Sequence, residues 1–180
     1  SCTTGHYPWA MDIDGDGQEE LFVGYSLFDD DGTKLWSLDS QVTDHADAVT
    51  AVDLHPEKPG EVRVLCAASD EGFYITDLKG NILKRHRIGH AQNLTVANFR
   101  SDLPGLEILI HNYWGNQGIA HFYDAEGELY HDFEPSNHGS VCRPSQSMMW
   151  SVRKVVTEWA EGRSCSVSSA RSGLSVSGPV

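Results

Sequence analysis

The sequence predicts an all-β fold, a β-propeller fragment of about three four-stranded antiparallel blades followed by an irregular C-terminal tail. Three observations predict it. A unit of about 45 residues repeats along the chain. Its apolar runs are β-branched and aromatic, broken by Gly, Asp and Pro. Each unit carries the same tetrad, D-x-x-G.

The repeat is clearest between the second and third units. "HADAVTAVDLHPEKPGEVRVL" at 45–65 aligns without a gap with "HAQNLTVANFRSDLPGLEILI" at 90–110, so that His45 maps to His90 and Asp53 to Asn98. The first unit opens at His6 and carries "DIDGDGQEE" where the later ones carry "DLHPEKPGEV" and "NFRSDLPGLE". Within a unit the order is constant. An apolar strand follows the His, then comes the acidic or Pro-Gly loop, then a strand such as "ELFVG", "VRVLCAA" or "LEILIHNYW". The tetrads "DDDG" (29–32), "DLKG" (77–80) and "DAEG" (124–127) read as tight turns, with Asp bonding its own backbone and Gly at positive φ. An outer strand such as "KLWSL", "NILKRHRI" or "ELYHDFE" closes each unit. Helical repeats of similar period exist, but these runs favour strands. The blades span about 5–43, 44–89 and 90–135. Three blades cannot close a ring that needs at least about four, so the chain reads as a piece of a larger propeller whose remaining blades it lacks.

A fourth unit opens at His138 and then loses its pattern. Residues 1–139 hold 24 acids and 8 bases, whereas 140–180 hold 2 acids, 5 bases and 11 serines. The expected division is a partial propeller at 1–139 and an aberrant or disordered tail at 140–180. A shifted reading frame or truncated gene explains that break better than a natural tail.

The 180 residues suffice for one domain with a real core. A formal charge of −13 and a pI near 4.9 exclude a basic face for nucleic acid and disfavour anionic membranes. No apolar run reaches the eighteen or so residues of a membrane helix. Cys2, Cys66, Cys142 and Cys165 have no C-x-x-C spacing, so neither a zinc site nor a disulfide framework is indicated. Cys66, in "VRVLCAA", is expected to be a buried thiol.

"DIDGDGQEE" concentrates five carboxylates in nine residues. Like charges this close repel unless a cation or water screens them. Asp12, Asp14 and Asp16 can converge on one point around turns at Gly15 and Gly17. The start matches an EF-hand loop, but loop position 12, which needs a bidentate Glu, is Val23. A shorter calcium loop between strands remains, with ligands Asp12, Asp14, Asp16, the Gln18 carbonyl and Glu20. Hard oxygen donors suit Ca²⁺ better than zinc or copper. A solvated acidic turn is the alternative.

The combination of "DIDGDGQEELFVG", "DDDGTKLW" and "HADAV…HPEKPGEVRV" resembles calcium-loop β-propellers of the FG-GAP kind, most closely the rhamnogalacturonan lyases of polysaccharide lyase family eleven. The likeness covers residues 5 to about 139. It implies an eight-bladed ring studded with calcium, an acidic polysaccharide substrate and cleavage by β-elimination. A secreted or periplasmic setting is favoured. Two departures stand out: the later loops lack the full acid set, and the chain holds under half a ring.

Such a lyase removes the proton α to a uronate carboxylate, neutralises that carboxylate and protonates the leaving oxygen. The blade-opening residues His6, His45, His90 and His138 lie where a propeller places its axial channel. Histidine titrates near neutrality unaided, which makes His45 and His90 the candidate bases. Tyr113 is the candidate proton donor and Arg87 the candidate carboxylate partner. The histidines could instead bond the next blade's backbone. Trp9 and Trp114 are candidates for stacking on sugar rings, and Trp36 for packing. A non-catalytic propeller that binds carbohydrate or protein, or an inactive truncated product, is the alternative function.

Overall fold

Strands form where the β-branched and aromatic runs lie, and turns form where Gly, Asp and Pro interrupt them. The computed structural model describes residues 5–134 apart from Gln117. Among these residues there are twelve strands and no helix, in three four-stranded antiparallel sheets. The first contains β1 (Trp9–Met11), β2 (Glu20–Val23), β3 (Ser26–Phe28) and β4 (Lys34–Ser37). The second contains β5 (Ala48–Asp53), β6 (Val62–Ala67), β7 (Phe73–Thr76) and β8 (Ile82–His86). The third contains β9 (His90–Ala97), β10 (Glu107–Tyr113), β11 (Ala120–Tyr123) and β12 (Leu129–Phe133). The three-sheet, all-β expectation is met. The 140–180 segment and His138 lie outside the described residues. No described helix is long and apolar enough to cross a membrane.

Strand order follows chain order in every sheet, as hairpin connections require. The D-x-x-G tetrads make the third turn each time. Gly32, Gly80 and Gly127 donate their N–H to the carbonyls of Asp29, Asp77 and Asp124 at 2.9, 3.1 and 2.9 Å. Their φ angles of 83°, 80° and 73° are ones a side chain tolerates poorly. Register shifts by one residue at the same place in all three sheets, between Leu27/Phe28, Ile75/Thr76 and Phe122/Tyr123. Each tetrad is therefore coupled to a bulge that bends the outer strand.

The sheets pack face against face. Phe22 and Leu27 of the first meet Val49, Ala51 and Val64 of the second. Leu65, Phe73 and Ile75 of the second meet Ile108, Ile110 and Tyr123 of the third. Burying each such large side chain contributes about 1.5–3 kcal/mol. All four residues of β7 are buried, because apolar sheets flank it on both sides. Polar ties supplement the packing: Trp36 Nε1 donates to the Leu78 carbonyl at 2.7 Å, and Leu106 N–H to the Leu54 carbonyl at 2.8 Å. The first strands converge, with Tyr7 bridging Ala48 and β9 packing on β5 and β6. Cys66 is buried, and burial pushes its thiol well above the usual range.

Two histidines have buried ring nitrogens without a hydrogen-bond partner, although Gly127 contributes a backbone hydrogen bond to His86 and Asp132 lies 4.0 Å from His121 Nδ1. His86 sits 5.8 Å from Phe73 and 4.5 Å from Tyr123 between ring centroids, with Nε2 buried and unbonded. Both ring nitrogens of His121 are buried and unbonded. Burial lowers the pKa of each. A histidine that resists protonation when folded contributes stability above its unfolded pKa of about 6.5, and that stability is lost as pH falls below it. Melting temperature should therefore drop between pH 7 and pH 5. His86→Phe should flatten that drop while the neutral-pH value changes little, measured by thermal denaturation across the range.

Candidate functional site

Two groups of polar side chains stand out, the "DIDGDGQEE" loop and a cluster where the three sheets converge. In the loop, Asp12 accepts the N–H groups of Gly15 and Gly17 at 2.6 and 3.1 Å, and Asp14 that of Asp16 at 3.1 Å. Asp16 accepts from Gln18 at 2.8 Å. Glu20 opens β2, is only 1% exposed, and accepts the Ile13 N–H at 2.7 Å. Oxygens of Asp12, Asp14 and Glu20 lie within 4.8 Å of one another. Asp16 is not part of that converging carboxylate set. Asp29 and Asp30, from the first D-x-x-G turn, approach Glu20 within the same limit. Residues 12–20 hold no basic side chain to balance this charge. An all-oxygen carboxylate set with a buried member fits a hard divalent cation such as calcium.

The corresponding loops of the other sheets are closed differently. Asp53 accepts the N–H groups of His55 and Gly60 at 2.9 and 2.8 Å. Glu107, fully buried, accepts those of Phe99 and Arg100 at 2.5 and 3.1 Å, while Arg100 clasps Asp102. Burial raises the Glu107 pKa against the pull of those N–H donors. In these two loops backbone N–H groups close the acid, whereas in the first loop surplus carboxylates remain beside Glu20.

The second group is centred on Asp47, 1% exposed. Ser69 Oγ donates to its Oδ2 at 2.5 Å, and Gln92 Nε2 to its Oδ1 at 2.7 Å. Around it stand the blade-opening histidines. His6 Nδ1 is 3.4 Å away, His45 Nε2 3.7 Å and His90 Nε2 3.1 Å. The His6 and His45 ring centroids are 4.9 Å apart, and those of His45 and His90 6.4 Å. The outward nitrogens also face carboxylates, His45 Nδ1 toward Asp44 at 2.8 Å and His90 Nδ1 toward Asp70 at 2.7 Å. A neutral imidazole has one N–H, so acceptors on both nitrogens are satisfied together only by a doubly protonated ring or by a cation. The sets His6–His45–Asp47 and Asp44–Asp70–His90 each present ligand atoms within 4.8 Å of one another. Their mixed nitrogen and oxygen donors could hold a divalent ion.

Of the residues named from sequence, His45 and His90 meet in this cluster. Tyr113 pairs with His90 across β10 and β9 but is only 7% exposed. Arg87 is exposed in the connection just before β9, with no ion pair among the described residues. Trp114 is 65% exposed at φ 42°, its ring 5.3 Å from that of Tyr113, and Asn116 Nδ2 donates to the carbonyls on either side of this bend. A non-glycine residue held at positive φ and open to solvent is strained toward outward display. Trp9 is 43% exposed on β1, where it pairs with Phe22 of β2. Sequence reasoning missed Asp47, Ser69 and Asp70. The signal for Asp47 was present, because Asp47 and Gln92 occupy the same place two residues after the repeated His.

No family model matches the chain, and no curated protein sequence matches it. Solved structures do. Rhamnogalacturonan lyase YesW aligns with TM-score 0.57 and 27% identity over 71% of this chain and 21% of its own. The exotype rhamnogalacturonan lyase YesX gives 0.59 and 25% over 72% and 22%. A Bacillus licheniformis rhamnogalacturonan lyase of family PL11 gives 0.56 and 23% over 72% and 21%, a likeness of fold. The chain spans about a fifth of the length of these proteins, and over that span its three sheets are similar to part of the rhamnogalacturonan lyase fold.

Proposed function

We propose that the three sheets are neighbouring blades of a calcium-binding β-propeller that cleaves an acidic polysaccharide by β-elimination. The observation that carries this reading is the meeting of His6, His45 and His90, one from the opening of each sheet, around the buried Asp47. The likeness to two rhamnogalacturonan lyases supports it. His45 or His90 takes the proton α to the uronate carboxylate, and the C–H electrons form the new double bond as the glycosidic oxygen leaves. Asp44 and Asp70 hold the two rings by their Nδ1 atoms. Arg87 supplies positive charge to the uronate, Tyr113 a proton to the leaving oxygen, and Trp9 and Trp114 aromatic faces for sugar rings. Calcium, held by Asp12, Asp14, Asp16, Glu20 and the Gln18 carbonyl, supplies the charge that ties the first blade's loop. Nucleic acid and membrane play no part.

One observation favours a second reading, a propeller that binds carbohydrate without cleaving it. Both nitrogens of His90 already face carboxylates, which leaves none free to accept a proton. An absorbance assay for unsaturated uronate on several acidic polysaccharides separates the two. Activity that Asp47→Asn reduces at least about a hundredfold, with the fold retained, supports the lyase. Binding of the polymer without any unsaturated product supports the second reading.

Calcium has its own test. A loop without a bidentate closing Glu should bind with Kd of roughly 10⁻⁵–10⁻³ M, and millimolar calcium should then raise stability by up to a few kcal/mol. Asp14→Asn should remove most of that gain. Asp77→Asn, in the second D-x-x-G turn, should leave it intact. A melting temperature indifferent to calcium would reduce the loop to a solvated turn.

A further inference from the structure

We propose that His55 is a titratable latch between the second and third sheets, closed while its ring carries two protons and released when it loses one. His55 lies in the loop between β5 and β6. Its Nδ1 meets Glu57 of the same loop at 2.9 Å, and its Nε2 meets Glu126 in the β11–β12 turn, also at 2.9 Å. Only a ring bearing both N–H groups donates to the two carboxylates together. Loss of the Nε2 proton leaves a lone pair facing Glu126 across the sheets, loss of the Nδ1 proton leaves one facing Glu57 within the loop, and in both cases the positive charge that attracted the two carboxylates is gone.

The surroundings concentrate the effect at this rim. Gly105 of the third sheet is pressed so close that a Cβ there would lie 2.6 Å from the Leu54 carbonyl oxygen and 3.0 Å from His55 Nδ1. That carbonyl accepts the Leu106 N–H, a backbone bond that crosses from one sheet to the other. Beside the latch is a groove of about 170 Å³, floored by Leu54, Ile75, Leu83 and Ala125. Every charged group around the latch is identified. The loop contributes Asp53, Glu57, Lys58 and Glu61, and β6 contributes Arg63, paired to Glu61. Lys84 of β8 is paired to Glu128, and Glu126 completes the set. Arg63 and Lys84 are paired to other carboxylates and Lys58 acts only on Glu57, so His55 is the group that bridges Glu57 to Glu126.

The direction follows. Glu57 raises the His55 pKa most, burial opposes it, and Glu126 adds to the rise, for a net upward shift. A histidine whose folded pKa is raised contributes stability that is complete below its unfolded pKa of about 6.5, and that stability is lost as pH rises through the folded value. The latch therefore opens on the alkaline side, opposite to the acid-sensitive His86 in the same interface.

The test uses the full chain and two readings on one sample, the imidazole titration of His55 by NMR and the exchange protection of the Leu106 amide. Protection is normalised to that amide's intrinsic exchange rate. It should fall about two- to fivefold as His55 deprotonates, the scale of partly exposed charge pairs. Glu126→Gln should move both the titration and the fall to lower pH, and Glu128→Gln should move neither. His55→Asn should leave protection low and flat. The proposal is overturned if Leu106 protection is level through the His55 titration, or if Glu126→Gln titrates as the parent does.

Discussion

The arrangement depends on one buried carboxylate. Asp47 is almost wholly removed from water and has no lysine or arginine beside it. A charge so placed is tolerated only when its oxygens are fully bonded. Ser69 of the second sheet and Gln92 of the third donate hydrogen bonds to it, and the rings of His6, His45 and His90, one from the opening of each sheet, stand 3.4, 3.7 and 3.1 Å away. Apolar packing between the sheets is non-directional and fixes their separation better than their angle. Asp47 adds direction. The sheets must converge at the end where those groups reach it, and the histidine cluster follows from that convergence.

A second constraint recurs three times with three solutions. Where each inner strand turns into the next, a buried acid or its cross-strand neighbour must close the loop. Glu20 faces Met11, and Glu107 faces Ala97, in matching registers. Glu107 and Asp53 close their loops with two backbone N–H groups each. Glu20 accepts one, and surplus carboxylates from Asp12, Asp14, Asp29 and Asp30 crowd around it. The same position is thus self-sufficient in two sheets and electrostatically incomplete in the first. Among these three loops, any dependence on a cation should be confined to the first.

How much was legible in the sequence follows from how local each feature is. The strands and the D-x-x-G turns come from short-range rules, namely side-chain alternation, Asp bonding two residues on, and glycine at positive φ, so each was readable in place. The bulge that accompanies each turn was not, because it depends on how the outer strand must bend. The convergence of the histidines was legible only as recurrence. Their spacing showed that they share a position, but not that one Asp would gather them. Asp29 and Asp30 were read purely as turn residues, and their approach to Glu20 needs the hairpin to be folded. His55 and Glu126 are 71 residues apart with no motif between them. Only the packing of two sheets puts them together.

The charge distribution bears on what the cluster can hold. A chain with formal charge −13 sets up a field that repels an anionic polymer over a Debye length of about 8 Å at physiological salt. Attraction must therefore come from contacts inside that range. The converging end of the sheets carries three imidazoles gathered on one carboxylate and ligand sets that could hold a divalent ion, and Arg87, three residues before His90, has no ion pair among the described residues. Asp44, Asp47 and Asp70 oppose this, and the balance turns on how many protons or cations the imidazoles share. Counted formally, Arg87 offsets one of these three carboxylates. If this chain acts as proposed on an acidic polymer, further positive charge is needed near the histidines, and a divalent ion in either ligand set would supply it while leaving an imidazole lone pair to take a proton.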